Sequence, residues 1–239
     1  MNITDHFSPN CHARSSRVDS LVLHYTDMLS ADAAMKLLCD PNAKVSSHYL
    51  IDKQGKIFRL VEEDKVAYHA GVSYWRGQEG LNESSIGIEI DNYGHVFGPE
   101  PFPEAQIDSL IKLLNDIRSR HSIKDTHIVA HSDIAPLRKK DPGELFPWAR
   151  LHQKGHGIWV PPKEQDLKTG SFGIASGDML KKTQKLLKKI GYDVFDNGFL
   201  DDKTKAVITA FQRHFLPMNI TGELDFATEQ HVQRIAEKF

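Results

Sequence analysis

The stretch SLVLHY at residues 20–25 is a run of mostly apolar side chains that ends on a histidine and a tyrosine, and it predicts a buried β-strand. Three further stretches have strand character. SSHYLIDKQGKIFRLV at 46–61 predicts a hairpin with its turn at 53–55, while IGIEID at 86–91 and THIVAH at 126–131 predict single strands. Together these stretches predict a central sheet.

Helical patterns separate the predicted strands. Between 104 and 121, isoleucines and leucines recur every three or four residues, as on the apolar face of an amphipathic helix. Ser30 is placed to cap a shorter helix over 31–38. Strands that alternate with helices indicate an α/β (α+β) domain, in which helices flank a central mixed β-sheet.

The chain is predicted to have two domains. Residues 1–160 form the α/β domain, and a glycine-containing segment with the Pro161–Pro162 pair predicts a linker over 161–177. Beyond it, three apolar stripes at helical spacing predict a second, small three-helix domain over 178–239.

The composition excludes several classes of protein. Lys and Arg number 30 and Asp and Glu 32, a net charge of −2, which excludes the strongly basic face of a general nucleic-acid-binding protein. Two cysteines, Cys11 and Cys39, exclude a disulfide scaffold and a cysteine-rich zinc site, so histidine and carboxylate must hold any metal. No apolar run approaches the ~18–20 residues of a membrane span, and residues 1–20 lack the apolar core of a secretory signal.

Two of the 13 histidines close predicted strands. His24 ends SLVLHY on the same face as Val22, and His131 ends THIVAH on the same face as Val129. Two histidines at one edge of a sheet are typical of a site, although each alone is also compatible with a core or rim histidine. A structural role on helices of the small domain is predicted for His214 and His231. The histidines predicted at the surface are His6, His12, His95, His121, His127, His152 and His156.

An aspartate extends the pair to three candidate ligands. Asp141 follows His131 by ten residues in HSDIAPLRKKDPGELFPW, a segment that Pro136 and Pro142 stiffen. Two imidazoles and one carboxylate are typical of catalytic zinc sites, which keep a fourth position open for water or substrate. This spacing is less specific than a compact HExxH motif.

Glu89 and Lys139 are the candidates for proton transfer and charge stabilisation. In IGIEID the isoleucines share one strand face, whereas Gly87 and Glu89 share the other, where Gly87 leaves space beside the carboxylate. Glu89 is either a general base for the attacking water or a solvent-facing acid. Lys139, two residues before Asp141, is either a stabiliser of a developing oxyanion or one more surface lysine.

Five ordered blocks of sequence resemble a known family: LVLHYTD, SSHYLIDKQGKIFRLV, AYHAGVSYW, LNESSIGIEIDN and HSDIAPLRKKDPGELFPW. Over residues 19–159 the chain resembles the zinc-dependent N-acetylmuramoyl-L-alanine amidases of the AmpD/AmiD type (amidase family 2), which are related to peptidoglycan recognition proteins. In the small domain, KTQKLLKKIGY, DNGFLDDKTKAVITAFQ and ITGELDFAT resemble the three-helix peptidoglycan-binding domain of many cell-wall hydrolases. The order of the two domains is similar to that of the AmiD-type branch.

The resemblance implies a complete active site. It implies that His24, His131 and Asp141 are ligands of Zn²⁺, that Glu89 is the catalytic acid and base, and that Lys139 stabilises the transition state. The residues that it implies for the substrate groove are His69, Trp75, Asn82 and Tyr49, and it also matches His48, with a structural role for that residue as the alternative.

The implied activity is hydrolysis of the amide between the lactyl group of N-acetylmuramic acid, or of its 1,6-anhydro form, and L-alanine of the stem peptide. This activity belongs to bacterial cell-wall turnover and recycling. The implied partners are peptidoglycan and muropeptides, with neither nucleic acid nor a membrane span. The expected location is the bacterial cell envelope (the periplasm), and the alternative is the cytoplasm, because the sequence shows no signal peptide.

Two other functions compete with this one. A peptidoglycan-recognition protein without catalysis would resemble the same family, but such proteins typically lack a metal ligand, whereas His24, His131 and Asp141 are all present. The second alternative is a hydrolase of another wall bond, such as a peptidase or a glycosidase. A glycosidase needs two carboxylates that face each other across the scissile bond. The candidate partner for Glu89 is Asp91, which lies on the same strand face and only two residues away, so it does not face Glu89.

Overall fold

The computed structural model describes residues 1–163 and 177–239, so most of the linker predicted at 161–177 lies outside the described residues. Within them the chain forms ten strands and eight helices. The strands are β1 (Ile3–Asp5), β2 (Cys11–Ala13), β3 (Ser20–Tyr25), β4 (Tyr49–Ile51), β5 (Ile57–Arg59), β6 (Lys65–Ala67), β7 (Tyr74–Trp75), β8 (Gln78–Glu79), β9 (Ser85–Ile90) and β10 (Ile128–Ala130). The helices are α1 (Ala31–Leu38), α2 (Gly94–Phe97), α3 (Glu104–Arg120), α4 (His131–Ile134), α5 (Trp148–Gln153), α6 (Gly177–Ile190), α7 (Asp202–Phe215) and α8 (Phe226–Ala236).

A six-stranded mixed sheet in the order β1-β5-β4-β9-β3-β10 forms the centre of the large domain. The strands β4, β9, β3 and β10 are parallel, whereas β5 pairs antiparallel with β4 as a hairpin. Two further sheets have two strands each, β2 with β6 and β7 with β8. The predicted fold class, a mixed central sheet flanked by helices, is confirmed.

The two faces of the central sheet contact different partners. Ile86, Ile88 and Ile90 of β9 lie in one apolar cluster with the buried side of α3. On the opposite face, Val22 and Val129 belong to an apolar cluster that also contains the core of the small domain. Because strand side chains alternate with a period of two, the same strands serve both clusters.

The longer helices agree with the patterns in the sequence. The helix α3 covers most of the predicted 104–121 segment. The hydroxyl of Ser30 accepts a hydrogen bond from the N–H of Ala33 (3.2 Å), which caps α1 as predicted. Asp201 and Asp225 cap α7 and α8 in the same manner, and these two helices with α6 form the small domain.

The end of THIVAH differs from the prediction. The strand β10 stops at Ala130, and His131 is the first residue of the short helix α4, so His131 does not continue the strand face of Val129. The strands β1, β2, β6, β7 and β8 were not predicted, because two or three residues are too few to show an alternating pattern. Among the described residues, none of the helices has the length and apolar character needed to cross a membrane.

Candidate metal centre and active site

Three side chains meet at the carboxyl edge of the central strands. His24 lies near the end of β3, His131 begins α4 directly after β10, and Asp141 lies in the loop that follows. The Nδ1 atom of His24, the Nδ1 atom of His131 and the Oδ2 atom of Asp141 are 2.9 Å apart in each of the three pairs. All three residues are buried. These three side chains, called the metal cluster below, are the group of potential ligands in the described part of the chain.

Hydrogen bonds on the outer side of each imidazole determine which nitrogen faces the cluster. The Nε2 atom of His131 lies 3.2 Å from the carbonyl oxygen of Ala70 and therefore carries the proton. The Nε2 atom of His24 lies 3.1 Å from Nδ1 of His69, and we place its proton there as well. Burial lowers the pKa of His24 to about 4, which keeps this imidazole neutral at pH 7. With the protons placed on Nε2 in this way, both histidines direct an Nδ1 lone pair towards Asp141.

This donor set fits a metal ion. Two lone pairs and a carboxylate oxygen converge, and with the imidazole protons on Nε2 there is no hydrogen to place between them. The two lone pairs and the carboxylate oxygen repel one another, and a bound cation would remove this repulsion. Two histidines and one carboxylate are a ligand set of catalytic zinc sites, in which the fourth position remains open.

A buried row of hydrogen bonds supports His24 from behind. The Nε2 atom of His69 lies 3.2 Å from the hydroxyl of Ser85, which in turn donates to the carbonyl oxygen of Leu81 (2.5 Å). The ring of His69 lies directly against Gly87, where an added Cβ would come within 2.4 Å of the ring. The space that Gly87 leaves on this strand face is therefore filled by His69.

Asn82 fixes the backbone segment that contacts both histidines of the metal cluster. Its Oδ1 atom accepts hydrogen bonds from the N–H groups of His69 (3.0 Å) and Ala70 (2.7 Å). The guanidinium group of Arg138 also donates to the carbonyl oxygen of Ala70, the same oxygen that faces His131. Asn82 thus acts on the cluster through the backbone, and its side chain is not among the groups that line the cavity beside the cluster.

A cavity of about 510 Å³ opens beside the metal cluster, and Glu89 and Lys139 both line it. Glu89 lies next to His24 because the two residues are register partners in β9 and β3. Its Oε2 atom is buried and has no hydrogen-bond partner among the described residues. Burial and the negative charge of Asp141 raise the pKa of Glu89 well above its usual value, and Lys139 offsets part of this shift. A raised pKa suits a carboxyl group that accepts a proton and returns it.

Among the residues that line the cavity but were not predicted as site residues are Tyr25 and His95. The hydroxyl of Tyr25 lies 2.8 Å from Nδ1 of His95, whose Nε2 lies 3.2 Å from a carboxylate oxygen of Glu144. Because Tyr25 directly follows His24 in the sequence, its place at the site could have been predicted. His95 was predicted at the surface, and its local sequence gives no sign of the tertiary contact.

Tyr49 and Trp75 do not line this cavity. The hydroxyl of Tyr49, a buried residue of β4, donates to Oε1 of Glu63 (2.6 Å). The Nε1 atom of Trp75 donates to the carbonyl oxygen of Thr126 (2.9 Å), and its ring packs edge to face against Tyr192 of the small domain. The structure therefore places Tyr49 in the core of the large domain and Trp75 between the two domains.

Two further histidines are structural. His48 is fully buried, and its Nδ1 accepts a hydrogen bond from the N–H of Gly87 (3.0 Å). His156 is buried as well, with the guanidinium of Arg118 donating to its Nδ1 (3.0 Å). The prediction that His156 lies at the surface was wrong, because α3 supplies an arginine that covers it.

Two protein families match different parts of the chain. Residues 14–144 match the family described as N-acetylmuramoyl-L-alanine amidase, and residues 176–232 match the family described as putative peptidoglycan binding domain. The first match includes the metal cluster, Glu89 and Lys139.

Individual relatives match nearly the whole chain. The N-acetylmuramoyl-L-alanine amidase AmiD of Escherichia coli is 40% identical over 237 residues, which cover 93% of this chain and 84% of that protein. The structure of E. coli AmiD in complex with the substrate anhydro-N-acetylmuramic acid-L-Ala-D-γ-Glu-L-Lys superposes with a TM-score of 0.79 at 37% identity, covering 95% of this chain and 93% of AmiD. The structure of AmpDh3 from Pseudomonas aeruginosa in complex with an anhydromuramic pentapeptide gives a TM-score of 0.79 at 33% identity, covering 93% and 92% of the two chains. The chain therefore belongs to the N-acetylmuramoyl-L-alanine amidase family and is a hydrolase of this kind with a peptidoglycan-binding domain.

Proposed function

We propose that this amidase hydrolyses the bond between the lactyl carbonyl of N-acetylmuramic acid, or of its 1,6-anhydro form, and the nitrogen of L-alanine, with a zinc ion held by His24, His131 and Asp141. The observation that carries the proposal is the convergence of two Nδ1 lone pairs and one carboxylate oxygen at 2.9 Å. Beside them lies Glu89, whose Oε2 atom has no hydrogen-bond partner in the described part of the chain. The substrates named for AmiD and AmpDh3 support the choice of bond.

We assign the proton transfers to Glu89. As general base it accepts a proton from the attacking water, and as general acid it then gives a proton to the leaving nitrogen of L-alanine. Its raised pKa suits both steps, since a group that holds a proton in the middle of the cycle must not be a strong acid. The buried Oε2 atom, which has no hydrogen-bond partner among the described residues, is the atom available for the water.

Lys139 is assigned to the oxygen of the scissile carbonyl. It lines the same cavity as the metal cluster, and its ammonium group would stabilise the negative charge that develops on this oxygen. A bound zinc ion would act there as a Lewis acid that polarises the carbonyl and lowers the pKa of water towards about 7. The pair of Tyr25 and His95 at the wall of the cavity is available to contact the substrate.

His69 and Asn82 are assigned to support of the site. His69 holds His24 by its Nε2, and Asn82 holds the backbone that carries His69. Tyr49 and Trp75 have no part in this proposal, because their side chains contact Glu63 and Thr126 away from the cavity.

We further propose that the enzyme works on peptidoglycan and its muropeptide fragments in the bacterial cell envelope. The match of residues 176–232 to a peptidoglycan-binding family supports contact with the wall polymer. Activity on intact sacculi and on soluble anhydro-muropeptides, measured side by side, would establish which of the two substrates the enzyme prefers.

Mass spectrometry of digested muropeptides tests the bond that is cut. Release of intact stem peptides with a free L-alanine amino group is expected, together with loss of activity in a chelator and recovery on addition of zinc. Cut sugars or shortened peptides as the main products would contradict the proposal, and binding without any product would indicate a recognition protein.

A further inference from the structure

A buried carboxylate joins the two domains. Asp133, in α4, is only 1% exposed and accepts hydrogen bonds from three groups. Its Oδ1 atom accepts from the hydroxyl of Tyr192 (2.7 Å), and its Oδ2 atom accepts from Nδ1 of His214 (2.7 Å) and from the N–H of Ala130 (2.9 Å). Tyr192 and His214 belong to the small domain, and with Asp133 they are called the Asp133 junction below.

The small domain is packed into the large one at this junction. The ring of His214 stacks on the ring of Trp148 from the large domain at 3.8 Å between centroids, and Tyr192 is fully buried against Trp75. Close by, the backbone N–H of Arg76 donates to the carbonyl oxygen of Gly191 (2.9 Å). A module that was only tethered to its neighbour would not share a core of this kind.

The Asp133 junction lies close to the proposed metal ligand His131 in the sequence. His131 is the first residue of α4, Asp133 is the third, and the Asp133 carboxylate holds the N–H of Ala130 directly before the ligand. On the other side, the N–H of Ser132 donates to the carbonyl oxygen of Asp141 (3.0 Å). The backbone at His131 is thus fixed by the small domain on one side and by the ligand loop on the other.

We propose that the small domain is part of the active site as well as a wall-binding module: Tyr192 and His214 position the metal ligand His131 through the carboxylate of Asp133. This inference rests on the proposed function of the metal cluster. Tyr192 and His214 are positioning residues, because neither is among the residues that line the cavity. It follows that the enzyme needs them even with a small soluble substrate, for which attachment to the wall brings no advantage.

The test uses full-length variants and two measurements, zinc affinity by competition with a chromophoric chelator and steady-state kinetics on a soluble anhydro-muropeptide. The double variant Tyr192→Phe, His214→Leu keeps the volume of both side chains and removes both donors. Loss of a group that hydrogen-bonds directly to a metal ligand typically costs about 10–100-fold in affinity or activity. Because Tyr192 and His214 act one contact further out, through Asp133, we expect both zinc affinity and kcat to fall by about tenfold, the lower end of this range, with little change in KM.

A rescue variant separates positioning from simple packing. His214→Asn loses the stacked ring but can place an amide N–H where Nδ1 was, so it should recover zinc affinity relative to His214→Leu. If only the packing mattered, the smaller asparagine would be the worse of the two. Phe199→Ala, at an exposed site of the small domain, is the control and should change neither measurement.

Three results would overturn the inference: wild-type zinc affinity and kcat in the folded double variant, no difference between His214→Leu and His214→Asn, or an equal loss in Phe199→Ala. If the double variant does not fold, as judged by circular dichroism, Tyr192→Phe alone is measured, and an unchanged zinc affinity then overturns the inference. A wild-type protein that binds zinc but releases no peptide would instead refute the proposed function, and the affinity measurements would still test the junction.

Discussion

Asp141 and Asp133 are buried carboxylates only eight residues apart, and imidazole nitrogens lie against both, yet the two surroundings differ in the number of hydrogens that they supply. Around Asp133, every neighbouring group brings a proton: a tyrosine hydroxyl, an imidazole N–H and a backbone N–H. Around Asp141, the outer hydrogen bonds of His24 and His131 hold the protons on the far side of each ring.

This difference distinguishes a ligand site from a hydrogen-bonded junction. A buried carboxylate is stable when its neighbours donate to it, as at Asp133. Where the neighbours are lone pairs, the missing positive charge must come from a cation, as we propose for Asp141. Both clusters contain histidine and aspartate at close range, so residue type alone does not separate them.

The largest effect is expected from His24→Ala. Removal of one of three protein ligands should abolish stoichiometric zinc binding, and loss of a metal that stabilises the transition state by several kcal/mol corresponds to a fall in turnover of about a thousandfold or more. Metal analysis of the purified protein and muropeptide turnover measure both quantities. His152→Ala, at an exposed site of the same domain, is the matched control. If His24→Ala still contained one zinc ion per chain, the assignment of Asp141 to a metal site and of Asp133 to a hydrogen-bonded junction would be contradicted.

Glu89→Gln should have the next largest effect. The amide keeps the shape of the side chain but cannot accept the proton of the attacking water, so kcat should fall by about 10²–10⁴-fold. Zinc content should remain that of the wild type, because Glu89 is not a ligand in this assignment. Glu237→Gln, at an exposed site after α8, controls for the removal of one charge. Full activity in Glu89→Gln would remove Glu89 from the mechanism.

Gly87→Ala tests the support behind His24. The new Cβ would lie within 2.4 Å of the ring of His69, which is buried and cannot move away freely. Displacement of His69 removes the hydrogen-bond partner of His24 Nε2, and we expect zinc affinity and activity to fall by about 10–100-fold. Gly177→Ala is the control, because the nearest atom to its added Cβ lies at 3.8 Å. Equal behaviour of the two variants would show that His69 does not support the ligand.

The sequence predicted those parts of the site that lie on regular strands. Period-two alternation places His24 and Glu89 on one face of the sheet, and the register of β3 with β9 makes them direct neighbours. Asp141 was predicted from its short separation from His131, and the structure brings it to the same point. His131 itself was expected on a strand, and it reaches the cluster from the first turn of α4 instead.

The parts that could not be predicted depend on contacts between distant segments. Trp75 lies in a motif that resembles the family's groove, but the small domain covers it with Tyr192, more than a hundred residues later in the chain. The same holds for the Asp133 junction, since nothing in the neighbourhood of Asp133 indicates that His214 will bind it. The local sequence pattern predicts which face of its own strand or helix a side chain occupies. It gives no information about which distant segment packs against that face.

The smallest effect is expected on the thermal stability of the zinc-free protein. It tests whether the buried Glu89 carboxylate lacks hydrogen-bond donors of the kind that surround Asp133. Burial raises the pKa of Glu89 in the folded, zinc-free protein above its unfolded value. A raised pKa favours folding below the unfolded pKa, and this contribution is lost as the pH rises through the folded pKa. Zinc-free Glu89→Gln should therefore unfold at a higher temperature than the zinc-free wild type at pH 7, and the gap should close as the pH falls below about 4.5.

Glu63→Gln provides a control of opposite sign for this measurement. Burial alone would raise the pKa of Glu63, but hydrogen bonds from Arg120, Tyr49 and His121 lower it to about 2. A lowered pKa stabilises the folded state above the unfolded pKa, and this contribution is lost as the pH falls towards the folded pKa. Glu63→Gln should therefore unfold at a lower temperature than the wild type at pH 7, with the difference shrinking in acid. Thermal unfolding of both variants from pH 7 to pH 3 measures the two signs, and a Glu89→Gln variant less stable than the wild type at pH 7 would mean that protein groups already satisfy the Glu89 carboxylate.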